Sequence, residues 1–362
     1  MTKELVTESI SGLRPYQGGK PIEELAREQG LTDIVKLASN ESAVGPSPRA
    51  VEAAIASLKE VHRYPDGAGF RLRGAIAKFH GVSPDEVIHG NGSNEVIELI
   101  VRTFMTPDEH MVFGRPSFSM YPVVAAAHNT TFTAVPTTSD LVHDLPSMVA
   151  AVQPNTKVIL VDNPNNPTGT YVPRQAVEKF LRDVPPSVIV VMDEAYFEFS
   201  DQEDYPDAMQ LRELRDRLII LRTFSKAYGL AGFRVGYGVG PKELISYMDR
   251  IRAPFNVSVP SQEAAIAALQ DPEHLASVVS LNNSERAKLE ASLAGPGRRV
   301  FPSQTNFILV DFGRPAKELY ELLLSKGVIV RPLPDLDSHL RITIGTESEN
   351  ERLLRALDEV GA

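Results

Sequence analysis

The chain has 362 residues, 43% of them hydrophobic and 23% charged, a globular balance that sets aside disordered, collagen-like and fibrous classes at a length that points to two domains. Its lack of cysteine removes disulfide frameworks, thiolate catalysis, iron–sulfur clusters and thiolate zinc sites together, because each requires sulfur. With 37 Lys and Arg against 47 Asp and Glu, the net charge of −10 opposes a phosphate backbone, and without a basic run to override it no nucleic-acid partner is expected.

In chain order, the opening residues place Glu4 and Glu8 where a secretory leader needs an unbroken apolar stretch. No apolar run approaches the ~18 residues of a membrane span, so a soluble, cytoplasmic chain without a membrane partner is expected. Pro15, Gly18, Gly19, Pro21 and Gly45, followed by Pro46 and Pro48, give more turn chemistry than a regular element tolerates. Residues 1–45 therefore read as an N-terminal arm that packs with the smaller domain. From about Glu86 to Gly240 short apolar runs alternate with helical patterns, as in a mostly parallel, buried sheet with crossover helices, and 46–260 reads as a large domain. Four runs stand out: Lys157–Val161, Ser187–Met192, Arg217–Leu221 and the glycine-punctuated Val235–Val239. Each is followed at its carboxyl end by polar or glycine residues, the edge at which open α/β sheets bind ligands. Beyond Pro260 the sequence predicts a long helix over 261–293, a Gly/Pro/Arg break, a strand at Phe307–Val310 and a helix at Ala316–Lys326. Strands at Val328–Val330 and Leu340–Ile344 and an amphipathic helix from Ser348 follow, giving a smaller α/β domain over 261–362. The eight histidines are scattered singly, without the i,i+4 pairing of a helical metal site, so no metal is expected.

Three segments carry chemistry. Gly90-Asn91-Gly92-Ser93-Asn94-Glu95 follows a short strand (Val87-Ile88) and opens the helix Val96–Phe104, so its free N–H groups can cradle a phosphate, or it is a plain strand-to-helix turn. Glu95 stands where a dinucleotide fingerprint wants a third glycine, and no GxxxxGK[ST] run exists. Asp193-Glu194-Ala195-Tyr196 puts a carboxylate at the end of an apolar strand, where it either caps a helix or meets a cation or a protonated ring nitrogen. In Arg222–Leu230, Lys226 lies among small and apolar residues at the sheet's ligand edge. Desolvation there lowers a lysine's pKa and makes its amine a nucleophile toward an aldehyde, although a solvated surface lysine is the default. Arg234, inside the apolar Gly-Phe-Arg-Val-Gly segment, reads as a buried guanidinium that calls for an anion. The anion loop, Asp193, Lys226 and Arg234 together suit pyridoxal 5′-phosphate, which needs an amine, a carboxylate at its ring nitrogen and a cationic phosphate cup.

Asn163-Pro164-Asn165-Asn166-Pro167-Thr168-Gly169, Asp193–Tyr196 and Ser225-Lys226-Ala227-Tyr228-Gly229-Leu230-Ala231-Gly232-Phe233-Arg234, in this order, resemble the fold-type I pyridoxal-phosphate aminotransferases. Lys36–Glu41, Arg63-Tyr64-Pro65-Asp66 and Leu340–Gly345 are similar to the histidinol-phosphate aminotransferase branch, and the resemblance runs end to end. It implies a fold-type I architecture and amino transfer from a small-molecule donor to a 2-oxo acid, with histidinol phosphate and 2-oxoglutarate as the pair. It further implies Lys226 as the Schiff-base lysine that moves the proton, Asp193 on the pyridine nitrogen, and Asn166 and Tyr196 on the 3-hydroxyl. Ser93, Asn94, Thr223, Ser225 and Arg234 would hold the phosphate, with Tyr64 reaching it from the other subunit of a homodimer. Phe118 takes the place of the ring that stacks on the cofactor, commonly a tyrosine. Arg341, Arg331 and Asn40 would meet the substrate.

The chain departs from the family at Asn40-Glu41-Ser42-Ala43-Val44-Gly45, where Asn-Glu-Asn-Pro is usual, and this loop bears on substrate identity. Aromatic amino acids are the rival donors. A phospho-amino-acid decarboxylase shares the scaffold, and an inactive sensor of the same fold would have lost Lys226 or Asp193. No serine has glycine at both −2 and +2, so the serine-hydrolase elbow is absent.

Overall fold

The computed structural model describes residues 5–13 and 18–362; Met1–Glu4 and Pro15, on which part of the N-terminal reading rests, lie outside the described residues. In chain order the strands are β1 (Val35–Lys36), β2 (Val87–Gly90), β3 (His110–Arg115), β4 (Thr131–Pro136), β5 (Thr156–Asp162), β6 (Ile189–Asp193) and β7 (Leu218–Thr223). They continue as β8 (Gly236–Val239), β9 (Arg299–Phe301), β10 (Phe307–Asp311), β11 (Val328–Ile329), β12 (Arg331–Leu333) and β13 (Leu336–Thr343). One seven-stranded sheet has the order β2-β8-β7-β6-β5-β3-β4, a four-stranded sheet the order β12-β13-β10-β9, and β1 pairs with β11.

The Val, Ile and Leu runs of β5, β6 and β7 form strands because helices cover both faces of the sheet, which makes every position apolar. Val158, Leu160, Val191 and Leu221 pack beside the helices Ser93–Phe104, Met120–Ala127 and Lys242–Asp249. Ile159, Val161, Val190 and Ile220 pack on the other face with Leu145–Ala150 and Arg174–Asp183. β3 to β7 are parallel.

The fourth apolar run departs from the expectation, because β8 lies antiparallel to both β7 and β2. The link from β7 to β8 contains one short 3-10 turn, Ala231–Phe233; without a crossover helix the chain turns back on itself. It is therefore the start of β8, not its carboxyl end, that lies beside the end of β7, and Lys226 and Arg234 share one edge.

The helix expected over 261–293 is two helices, Val259–Leu269 and Pro272–Leu293. Pro272 has no N–H to donate and pushes the preceding residue out of helical geometry, while Asp271 caps the second helix at His274 N. Ala264, Ala265 and Ala268 of the first helix pack with Ala50, Leu72 and Ile76, in the core that backs β8.

In the four-stranded antiparallel sheet, Ile308, Val310, Leu340 and Ile342 face the helices Pro272–Leu293, Ala316–Ser325 and Glu347–Glu359. The opposite face carries Phe307 and Arg341, in register with Thr343 and Leu309, and the Phe307 ring meets Tyr196 edge-on at 5.2 Å. The chain leaving β1 is clamped at Leu37, whose N–H donates to Ile329 and whose carbonyl accepts from Thr343 N. That clamp delivers Ala38–Asn40 into the cleft between the two large sheets. No helix among the described residues is long and apolar enough to cross a membrane.

Candidate active site

The strands β6 and β7 end side by side, so Asp193 and the Thr223–Lys226 turn arrive at one edge. Asp193 is only 4% exposed. Its Oδ2 accepts from the Tyr121 hydroxyl at 3.1 Å, whereas Oδ1 is buried with no hydrogen-bond partner. Burial and then the neighbouring Asp162 push the Asp193 carboxyl up to about 7. Lys226 Nζ donates to the carbonyls of Ser39 at 3.4 Å and Asn40 at 3.2 Å, and lies 5.6 Å from the centre of the Tyr196 ring. Burial, reinforced by the Arg341 charge, lowers this lysine to about 8. Its neutral amine is then far more populated near neutral pH than that of a solvated lysine. The two residues supply a nucleophile and an acceptor at one edge of the sheet.

The helix Ser93–Phe104 begins at Gly92, whose φ of 79° is a left-handed value. A Cβ there would lie 2.6 Å from Arg234 Nη2, so glycine is what lets the guanidinium lie over the helix start. Gly236 is under the same constraint from below, because a Cβ on it would come within 2.1 Å of Ser93 N. Glu95 fixes the loop by accepting from Asn91 N and from Asn256 Nδ2. Thr223 Oγ1 donates to Val235 O and accepts from Ser225 N, tying the end of β7 to the start of β8. Arg234 corrects the sequence reading in one respect: it is exposed rather than buried, with a φ of 55° and a bond from Nη1 to Ala231 O. Its short turn carries the side chain outward to the anion loop.

A third group closes the cleft from the smaller sheet. Arg341 Nη1 donates to Asn166 Oδ1 at 2.6 Å and Nη2 to Ala38 O at 2.9 Å. Asn40 donates from Nδ2 to the Tyr196 hydroxyl at 2.9 Å, and its N–H bonds Thr343 Oγ1 at 2.9 Å. Tyr196 itself is pushed up to about 12 by burial. Arg331 faces Arg341 in the β12–β13 register. Phe118 is partly buried, edge-on to Tyr121 at 5.6 Å. Lys226, Asp193, Tyr196, Asn166, Asn40 and Arg341 thus gather where the two sheets meet, with Ser93, Asn94, Thr223, Ser225 and Arg234 around the helix start, an electropositive end suited to an anion. Tyr64 stands apart, 81% exposed with its ring stacked on Phe255 at 4.7 Å. The departing loop borders a small cavity lined by Glu41, Ser42, Val44, Asn306 and Ile344. Among the described residues no cluster of metal-ligating side chains occurs.

Sequence reasoning missed five residues around the site. Tyr121 was in plain view in the Phe118 segment, and Asn306 holds the Asn40 carbonyl at 3.0 Å. Glu194 meets Arg222, with Oε2 accepting from Nε at 3.1 Å and Nη2 at 2.9 Å. A charge inside an apolar strand was the signal for Arg222, the same signal that drew attention to Arg234. His143 left no signal at all.

The site suits pyridoxal 5′-phosphate on chemical grounds: the unpaired Asp193 Oδ1 could accept a ring N–H, Lys226 could offer an amine, and a helix start with Arg234 could receive a dianion. Comparison with known proteins agrees. The family model for aminotransferase class I and II matches residues 32–357. A histidinol-phosphate aminotransferase of Anaeromyxobacter sp. (strain Fw109-5) is 45% identical over 98% of this chain and 99% of its own length. One from Akkermansia muciniphila is 46% identical over 99% of both. The crystal structure of a histidinol-phosphate aminotransferase from Sinorhizobium meliloti, in complex with pyridoxal 5′-phosphate, superposes with a TM-score of 0.89 at 30% identity, covering 98% of this chain and 97% of that one. With its fold and nearly its whole length matched, the chain belongs to the class I and II aminotransferases and, within them, to the histidinol-phosphate aminotransferase family.

Proposed function

We propose that the protein moves an amino group between L-histidinol phosphate and 2-oxoglutarate, giving imidazole acetol phosphate and L-glutamate in histidine biosynthesis. It does so with pyridoxal 5′-phosphate, as a cytoplasmic homodimer. The observation that carries the reading is the arrival of Lys226, lowered to about 8, and the unpartnered Asp193 Oδ1 at the ends of adjacent parallel strands. When bound, pyridoxal 5′-phosphate supplies an aldehyde and an electron-withdrawing ring.

Asp193 Oδ1 would hold the cofactor's ring N–H. Lys226 Nζ would offer its amine to the aldehyde and act as the base for the substrate Cα proton, its pKa lying near the working pH. Asn40 orients the Tyr196 hydroxyl, and Asn166 positions Arg341. Ser93, Asn94, Thr223, Ser225 and Arg234 would hold the phosphate, and Phe118 would cover the ring. Arg341 and Arg331, opposite each other across β12 and β13, offer two guanidiniums to a dicarboxylate or a phosphate dianion in alternating half-reactions.

The division into an arm (1–45), a large domain (46–260) and a small domain (261–362) belongs to the same proposal, with the small domain's first helix, Val259–Leu269, packed on the core of the large domain. The dimer rests on exposed apolar side chains at Ile55, Leu58, Val61, Tyr64, Phe70 and Phe255, a density that marks association surfaces.

The test compares kcat/KM for histidinol phosphate and phenylalanine with 2-oxoglutarate as acceptor. Histidinol phosphate is expected to lead. Arg341→Ala should weaken both half-reactions by about 10²-fold or more, the loss of a charge-assisted pair, and Arg331→Ala should penalise the phosphate substrate more than glutamate. Phenylalanine leading in the unaltered enzyme would replace the donor and leave the chemistry in place.

A further inference from the structure

A buried carboxylate beside Asp193 has no part in the chemistry above. Asp162 ends β5 as Asp193 ends β6, and the two are register partners on adjacent parallel strands. Asp162 Oδ2 accepts from Asn166 N at 3.0 Å, so it anchors the turn that presents Asn166. Its Oδ1 accepts from His143 Nε2 at 2.9 Å, and both side chains are almost fully buried. His143 comes from outside every motif of the site, one residue before the Asp144 cap of the helix Leu145–Ala150. Its Nδ1 is buried without a partner and lies against Gly114, where a Cβ would come within 2.1 Å. The fold thus makes room on β3 for an imidazole whose one hydrogen-bonding act is toward Asp162.

We propose that His143 is a positioning residue for the cofactor-nitrogen contact: by donating Nε2–H to Asp162 it holds that carboxylate on the Asn166 turn and moderates the negative charge that Asp193 feels. The inference rests on the reading of Asp193 as the partner of the ring nitrogen. Two like charges at the ends of adjacent strands compete for ionisation unless donors spread one of them. Asp162 has two such donors, Asn166 N and His143 Nε2, and Asp193 is held by the Tyr121 hydroxyl on Oδ2 and by the Ala195 backbone N–H. The groups facing Asp193 are Asp162 from β5, Tyr121 from the helix Met120–Ala127, and Glu194 and Tyr196 from its own segment. Asp162 is the first of these charges in raising it. Without His143 the Asp162 charge is less contained and Asp193 holds its proton to higher pH. Without the Asp162 charge Asp193 ionises at lower pH.

The experiment is an infrared pH titration of the cofactor-free full-length protein, following the protonated-carboxyl C=O band that Asp193→Asn removes. Asp162→Asn, which keeps an oxygen for Asn166 N, should move the midpoint down by about one pH unit or more. His143→Leu should move it up by a few tenths or more, and His143→Gln, which can still donate, should bring it back toward wild type. Gly114→Ala, which displaces the imidazole without changing a titratable group, should act as His143→Leu does. A merely structural role would lower stability in these variants and leave the midpoint fixed; that result, or shifts of the same sign in Asp162→Asn and His143→Leu, overturns the proposal. The underlying reading is checked separately by binding of pyridoxal 5′-phosphate against its analogue with CH in place of the ring nitrogen. Wild type should prefer the nitrogen-bearing ligand and Asp193→Asn should lose the preference. A preference kept in Asp193→Asn removes the assignment of Asp193 to the ring nitrogen, and with it the functional half of the inference, whatever the band does.

Discussion

Asp193 occupies a place that its own charge disfavours. Its carboxyl shifts from 3.8 to about 7 on folding, so between those values the native state binds more protons than the unfolded chain, and stability falls as pH rises through that window. At about 1.4 kcal/mol per unit, the loss is of the order of 4 kcal/mol in the cofactor-free protein above pH 7. Asp193→Asn keeps the shape and an acceptor for Tyr121 but cannot ionise. It should raise the Tm of the cofactor-free protein by several degrees at pH 8, show no gain near pH 4, and bind pyridoxal 5′-phosphate more weakly. Lys226 titrates in a separate window, from about 8 to 10.5, and leaves the acid side of this profile untouched. Calorimetry at the two pH values decides, and a variant less stable than wild type at pH 8 rules out the strained carboxylate. The sequence displays such a residue when its neighbours are apolar: Asp193 after Ile189–Met192, Lys226 between Ser225 and Ala227. It hides one whose burial is made by distant segments, as with His143, and it misleads where a turn points a side chain outward, as with Arg234.

Elements are legible where an apolar run is unbroken: β3 is nearly as buried as β5, but its His110-Met111-Val112-Phe113-Gly114-Arg115 sequence is mixed and announces no strand. The runs at β5, β6 and β7 gave their strands to within a few residues, because both faces are covered and every position is apolar. Edge strand β4, with only Val135 buried, has the mixed texture of a half-exposed segment and was not singled out. The direction of β8 was invisible, since direction is set by the connection and not by composition. Its glycines show what the direction achieves: running antiparallel, β8 slides Gly236 under the first N–H groups of the helix Ser93–Phe104. Gly236→Ala puts a methyl within 2.1 Å of Ser93 N and 2.5 Å of Gly92 C, both backbone, and the helix start must move. The expected result is a stability loss of about 1–3 kcal/mol together with a fall of tenfold or more in the preference for pyridoxal 5′-phosphate over pyridoxal. Gly238→Ala meets only side chains of Val96, Leu221 and Ile88, at 3.1 to 3.3 Å, and should leave that preference unchanged. Equal effects of the two variants on the phosphate preference would show that the loop is not set by β8.

At the scale of the molecule, the cleft is assembled from segments more than 300 residues apart: Asn40 bonds Thr343, and Arg341 bonds Ala38 and Asn166. No spacing rule announces such a site, and only the order of the motifs, read against a family, brings its parts together. Tyr64 lies outside the cleft of its own chain, 81% exposed, with Phe70 76% exposed nearby in sequence, and exposed apolar side chains of this kind call for cover. If a second copy supplies that cover and its Tyr64 completes the phosphate site, the two lesions Tyr64→Phe and Lys226→Ala complement each other across subunits. A hybrid of one Tyr64→Phe chain and one Lys226→Ala chain then contains one site with Lys226 from the first and an unaltered Tyr64 from the second. That hybrid should show about half the wild-type turnover, by counting one intact site in two, with wild-type cofactor affinity at its active site, whereas the Tyr64→Phe homodimer should bind the cofactor several-fold more weakly. If Tyr64 acts within its own chain, the hybrid's one working site carries the lesion and its affinity matches the Tyr64→Phe homodimer. Differently tagged chains, co-purified and titrated with pyridoxal 5′-phosphate, separate the two cases, and sedimentation as a monomer at micromolar concentration would remove the shared site altogether.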